Sequence, residues 1–188
     1  MIEKVLAAIQ RQIREDFAPV WGKQADLEIW SEGKQLGTGT WWLTISGETS
    51  DTDDPAYHIV NRDSIPEGRM FLESIEADHL DWTVVMSQEI LEMLANPGGN
   101  LYAMIPSRSG YDLYLKEVCA PCLHDAKYTY QIDGVKVSDF VYPEWFERYS
   151  HTSNTQFDHL GKINLPLYLS LPSQRARVSS PQSGISNQ

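Results

Sequence analysis

The chain is poor in cysteine, in positive charge and in long apolar runs, and each shortage removes a class of protein. Two cysteines in 188 residues, Cys119 and Cys122, cannot build the disulfide framework of a small secreted scaffold. Lys and Arg total 15 against 26 Asp and Glu, a formal net charge of -11. Nucleic acid and anionic membranes both reward clustered Lys and Arg, so neither is an expected partner. No apolar run approaches the roughly 20 residues that cross a bilayer. The start, Ile2-Glu3-Lys4-Val5, is charged at once and lacks the apolar core of a signal peptide. A cytoplasmic protein is the expectation. No segment repeats.

What is present is an ordinary globular composition, 41% apolar and 11% aromatic with six Trp. A chain of this length supports one core. We expect a single globular domain over residues 1–170. From 171 to 188 the chain is largely Ser, Gln and Arg without apolar periodicity, which predicts a disordered tail.

Ile2, Val5, Leu6, Ile9, Ile13 and Phe17 recur at helical spacing and predict an amphipathic helix over 2–16. Runs rich in β-branched and aromatic residues predict strands at 26–30, 39–46, 57–60, 69–75 and 111–118. A turn is expected at 65–68, a loop over 98–110, a polar connection over 151–164 and an extended piece over 165–171. Asp133-Gly134 between 127–132 and 135–141 is a hairpin signal. Pro143 marks the start of a helical turn over 142–148. The acidic stretch 47–55 has alternating Asp51 and Asp53 but no central Gly or closing Glu, so it reads as a surface loop and not a calcium loop. Together these elements predict an α+β fold with an N-terminal helix, a small sheet, one central buried helix and a β-hairpin.

The central helix, from Trp82 to its stop at Asn96-Pro97, carries the most informative conflict. At about 100° per residue, Asp81, Gln88, Glu92 and Asn96 share one stripe, with Glu89 at its edge. Trp82, Val84, Met86, Ile90, Leu91, Met93 and Leu94 cover the other directions. A helix apolar nearly all round is normally buried, and buried carboxylates need partners. In a zinc-protease helix two ligands share one face, and a Glu beside the first polarises the metal-bound water. Gln88-Glu89-Ile90-Leu91-Glu92 has that spacing, with Glu92 of ligand type and Glu89 of base type. Gln88, however, offers a neutral amide where imidazole is wanted.

Cys119-Ala120-Pro121-Cys122 supports three readings: ordinary partly buried thiols, a metal site completed by His124, His151 or His159, or a redox pair. His58 and His79 read as structural.

Ser87-Gln-Glu-Ile-Leu-Glu-Met-Leu-Ala-Asn-Pro97 resembles the helix of a family of bacterial and phage metallopeptidase-like proteins, Ser-His-Glu-x-Leu-Glu-Met-Leu-Ala-Asp-Pro. The resemblance continues in Glu117-Val-Cys-Ala-Pro121, where the family has Glu-Val-Cys-Asp-Pro. It extends through Tyr130 to Phe146 and Phe157-Asp-His-Leu-Gly161, covering about residues 55 to 170. It implies a zincin-like fold and a metal site. Gln88 in place of His and Ala120 in place of an acid remove two implied ligands, leaving Glu89, Glu92 and Glu117. The resemblance with these departures implies a catalytically degenerate metallopeptidase without a cofactor. Such a protein would serve as a structural or protein-binding module of a phage virion or prophage-derived assembly, with protein partners in a homo- or hetero-oligomer. The alternative is an active hydrolase holding zinc or another divalent cation at Gln88, Glu92 and Glu117, through the two carboxylates with or without a His from elsewhere in the chain, and with Glu89 as general base. A Cys119–Cys122 redox or zinc-knuckle protein is the third reading.

Overall fold

The computed structural model describes residues 1–188 apart from 32, 36, 51, 53, 108–109, 120–125, 148–150, 168–174 and 180–188. The element order is α1 (Ile2–Arg11), a π-helical turn (Gln12–Phe17), α2 (Ala18–Trp21), β1 (Trp42–Ser46), β2 (Ala56–Val60), β3 (Pro66–Phe71), α3 (Leu72–Ala77), α4 (Trp82–Ala95), β4 (Tyr102–Ser107), β5 (Gly110–Leu115), β6 (Thr129–Ile132), β7 (Val135–Ser138) and β8 (Arg175–Ser179). Short 3₁₀ turns, Ala126–Tyr128 and Pro143–Phe146, flank the β6–β7 hairpin. The fold is mixed α+β.

The strands form a sheet of order β1-β3-β2, a second of order β4-β5-β8, and the β6–β7 pair. In the first sheet β1 runs parallel to β3 and β2 antiparallel to it. One cluster of buried side chains, running from Val5 to Ile163 in sequence, unites the N-terminal helix, α4, the hairpin and the second sheet. Helix α4 packs against β2, β3, β7 and α3, which makes it the shared wall of the core.

The ends of α4 follow from its sequence. Asp81 caps the N-terminus, its Oδ1 accepting from the Thr83 backbone N–H at 3.1 Å and the Thr83 hydroxyl at 2.8 Å. At the other end Asn96 leaves helical geometry at φ -141° and ψ 66°. Its own side chain then accepts from Asn100 N at 3.1 Å and Leu101 N at 3.0 Å, closing the turn after Pro97. The hairpin turn uses Asp133 (φ 51°) and Gly134 (φ 76°), the left-handed pair a two-residue hairpin demands.

Several sequence expectations are corrected. The first helix does not stop at 16 but continues through the π turn to Trp21. Residues 26–30 form no strand; at the start of this stretch the Gln10 side chain binds the backbone, accepting from Leu27 N through Oε1 at 2.6 Å and donating to Ala25 O through Nε2 at 2.8 Å. The turn expected at 65–68 lies earlier, where Asn61 Oδ1 accepts from Asp63 N and Ile65 N. Pro66 therefore opens β3, a position at which a missing donor is tolerated. That strand stops at Phe71, and Leu72–Ala77 is helical. The 98–110 loop contains β4, which pairs with β5 along its whole length. The tail expected over 171–188 contains β8, paired antiparallel to β5. There a ladder to a preformed neighbour outweighs the lack of apolar periodicity. Asp51 and Asp53 of the acidic loop, and residues 168–171 of the last extended piece, lie outside the described residues.

Candidate functional site

Glu89 and Gln88 are buried in the middle of α4, each 7% exposed. Across from them, β2 presents His58 opposite Gly68 of β3, so the imidazole and the missing side chain point to the same face. An added Cβ at Gly68 would stand 2.6 Å from Leu43 Cδ1, 2.9 Å from Met93 Sδ and 3.5 Å from Glu89 Cγ. Glycine at this one position is what lets α4 lie close enough for His58 to reach Glu89.

The contact is short and two-sided. His58 Nδ1 lies 2.8 Å from Glu89 Oε1, and His58 Nε2 lies 2.9 Å from the Asn96 carbonyl. A carbonyl oxygen only accepts, so Nε2 carries a hydrogen. The Nδ1 side then holds one proton between base and acid, with imidazolium facing carboxylate as the charged form. Burial works against charge on His58. The Glu89 hydrogen bond and charge, the Asn96 carbonyl and the charge of Glu117 together outweigh it, holding His58 above the usual histidine range. Both side chains are largely enclosed, 12% and 9% exposed. The buried acid that the helix pattern left unpaired is thereby matched by a base from a neighbouring strand.

Glu92, one turn further on, accepts the Cys119 backbone N–H through Oε1 at 2.9 Å. This bond fastens the segment after β5 to the helix. Cys119 is itself fully buried. Ala120, Cys122 and His124 lie outside the described residues, so the three readings of the cysteine motif stay as the sequence left them.

The arrangement can be tested for its fit to a metal. Gln88 supplies a neutral amide, Glu92 Oε1 holds a backbone N–H, and His58 has both ring nitrogens engaged. Among the described residues no group of three or more His, Cys, Asp or Glu side chains converges where it could hold an ion. The donors described here do not fit a zinc centre as they stand. Of the residues singled out in the sequence, the fold brings Gln88, Glu89 and Glu92 onto one helix. It sets Glu117 near enough to act on His58 by charge.

Two features went unassigned in the sequence. The first is the approach of His58 to Glu89. The alternation of Tyr57-His58-Ile59 places His58 on one strand face, but only the sheet order brings that face to α4. The second is a pair of fully buried acids, Asp139 and Asp158. The visible sign is an Asp standing inside the apolar run Val137-Ser-Asp-Phe-Val141. His79, in contrast, sits at φ 57° in the turn between α3 and α4, consistent with a role in the turn. A concavity of about 590 Å³ is lined by residues between His151 and Pro166, none of them from α4.

Comparison with family models, with curated proteins and with solved structures gives no match to this chain. Among the described residues no helix is long and apolar enough to cross a membrane.

Proposed function

We propose that the chain is a catalytically degenerate, zincin-like metallopeptidase relative that acts as a structural or protein-binding module, as a component of a phage virion or prophage-derived assembly. The observation carrying this reading is the bonding of Glu89 and Glu92 to neighbouring segments. His58 spends both nitrogens on Glu89 and Asn96, and Glu92 holds the Cys119 backbone. A general base needs a substrate proton or a water within reach, and an imidazole ligand needs a free ring nitrogen. Here those capacities tie strands to a helix. Protein binding is further supported by the outer face of β4 and β5, where Tyr102, Met104 and Tyr111 are 47%, 61% and 43% exposed.

The test is elemental analysis of the purified chain beside a peptidase assay. The expected result is metal well below one equivalent and no cleavage that depends on Glu89. Gln88→His combined with Ala120→Asp is expected to raise zinc affinity. One tightly held zinc per chain in the unaltered protein, with proteolysis abolished by Glu89→Gln, would overturn the reading.

A second reading, an active metal-dependent hydrolase, draws on one observation: His58 sets an imidazole against Glu89, the residue type that Gln88 fails to supply. Metal binding there would require His58 to give up one of its two bonds. That reading predicts zinc affinity lost in His58→Ala and unaffected by Cys122→Ser.

A further inference from the structure

Asp139 follows β7 directly, and Asp158 lies on the later segment that packs back against it. Both are 0% exposed. The two stretches are joined by an isolated bridge between Val141 and Asp158. Two backbone bonds reinforce it, Tyr142 N to Phe157 O at 2.8 Å and His159 N to Phe140 O at 3.0 Å. Each carboxyl also gathers backbone N–H groups. Asp139 Oδ1 accepts from Phe140 at 2.8 Å and Leu160 at 3.2 Å. Asp158 accepts from Lys162 through Oδ2 at 3.0 Å and from Ile163 through Oδ1 at 2.9 Å. The segment from 157 to 163 is therefore wound around two carboxyl groups.

One atom in this arrangement is unexplained if both groups are ionised. Asp139 Oδ2 is sealed from solvent and has no donor to accept from. The Leu160 N–H, two residues past Asp158, ties Asp139 to the stretch that carries the second acid, and Asp158 is a neighbour that raises the Asp139 pKa; two carboxylates cannot bond each other without a proton. Placing a proton on Oδ2 turns the orphan acceptor into a donor and satisfies both groups.

The groups facing the pair supply no cation to replace that proton. From the π turn comes Asp16, whose Oδ2 accepts the Tyr130 hydroxyl at 2.6 Å. From β6 comes Tyr130, and from the neighbourhood of the second 3₁₀ turn comes Tyr142, on which Glu144 acts in turn. His159, on the segment itself, has Nε2 3.8 Å from Asp16 Oδ2 and is directed to that acid. Among the described residues no Lys or Arg pairs with Asp139 or Asp158.

We propose that Asp139 and Asp158 form a one-proton latch: the proton held between them keeps the 157–163 segment closed against residues 138–142, and its loss releases the segment. Closed, the latch buries Phe157 and Ile163, which are 5% and 4% exposed. Open, it presents them to solvent and reshapes the concavity that the same segment lines. Burial and the Asp158 contact hold the Asp139 proton up to about pH 8, so the latch responds at mildly alkaline pH.

The test uses the full chain. Carboxyl carbon NMR from pH 4 to 9.5 should show the pair releasing a proton near pH 8. Hydrogen exchange at the Leu160, Lys162 and Ile163 amides, corrected for intrinsic rate, should lose protection as pH rises toward that value. The loss should approach roughly tenfold per pH unit between about pH 4 and pH 8 and level off above it, as one linked proton requires. Asp139→Asn keeps a permanent donor and should hold those amides protected up to pH 9.5. Full ionisation of both carboxyls below pH 6 with the amides still protected would overturn the proposal. So would opening of Asp139→Asn along the wild-type profile. If that variant does not fold, the wild-type titration decides by itself.

Discussion

Two places in this molecule bury acid, and they neutralise it in opposite ways. Under the first sheet, Glu89 is met by an imidazole from β2, so charge is answered by charge across two elements. Behind the hairpin, Asp139 is met by another acid, and a shared proton does the work of a counter-ion. The first arrangement joins a strand to a helix and depends on Gly68 for its closeness. The second winds a loop about itself through backbone N–H groups. A buried base fixes how two elements dock, whereas a buried proton fixes whether a segment is closed. The same chemical problem thus has a static solution in one region and a titratable one in the other.

The largest expected effect comes from breaking the ion pair. His58→Ala leaves Glu89 enclosed without its base, and removal of one partner of a buried pair costs about 3–5 kcal/mol. Urea unfolding at pH 6 is the measurement, and Glu89→Gln in the same background should recover part of the loss. Breaking the acid pair comes next. Asp158→Ala orphans the Lys162 and Ile163 amides and the Asp139 proton, a loss of about 3 kcal/mol. Its sharper signature is local, with exchange accelerated at those amides before it is at α4. Gly68→Ala probes the geometry of the first site alone. The new Cβ collides with the mobile ends of Leu43 and Met93, so about 2 kcal/mol of overpacking is expected and a longer His58–Glu89 contact in a crystal structure.

The pH dependence sharpens the comparison because both sites push the same way. His58 is raised above its ordinary value, so its contribution is complete below about pH 6.5 and fades as pH climbs through the folded-state value. Asp139, raised to about 8, contributes fully below about pH 3.9 and loses that contribution as pH rises through about 8. Stability measured by denaturant titration should therefore fall from about pH 4 through Asp139, more steeply above about pH 6.5 where His58 joins, and without the Asp139 part above about pH 8, by up to roughly tenfold in the folding constant per pH unit for each group. His58→Gln should remove one part of the slope and Asp139→Asn the other. The smallest effect is at the helix cap: Asp81→Ala should cost about 1 kcal/mol in thermal or chemical unfolding and leave the pH slope unchanged.

The parts of the fold that could be read in advance are those written in local chemistry. The limits of α4 follow from Asp81, Asn96 and Pro97, and the hairpin follows from Asp133-Gly134. The conflict between an apolar helix and its acidic residues was also visible, and it correctly marked Glu89 and Glu92 as needing partners. Their partners were not visible. His58 lies 31 positions from Glu89, and its approach depends on β3 standing between β1 and β2. The missed strands, β4 and β8, both pair with β5: β4 as its immediate neighbour in sequence, carrying Pro106 and closing at Ser107 opposite Gly110, and β8 through a long-range ladder that no local period encodes. The false strand at 26–30 had suitable side chains, yet it pairs with no neighbouring strand, and Leu27 N is held by the Gln10 side chain instead. Asp139 could be noticed as an acid in an apolar run, but the proton it holds follows only from Asp158 lying opposite.

The π turn at Gln12–Phe17 has a consequence for how the chain tolerates insertions and deletions. A wider turn shifts the phase of everything after it by about 100° relative to a continuous α-helix. Before the turn, Val5 and Ile9 face the core; within it, Gln12 is swung fully inside. There its Nε2 donates to Ser138 O at 2.7 Å and its Oε1 accepts from Ser87 Oγ at 2.8 Å. Phe17, the last residue of the turn, stacks on Trp21 beyond it, whose indole reaches the Val141 carbonyl at 2.9 Å. Losing one residue between 12 and 17 would restore a regular helix and rotate Trp21 away from that carbonyl. A substitution on the outer face of the same turn would leave the phase intact. The first 21 residues thus work as a vernier, in which residue count, more than residue identity, sets the alignment of the N-terminal helix with the hairpin.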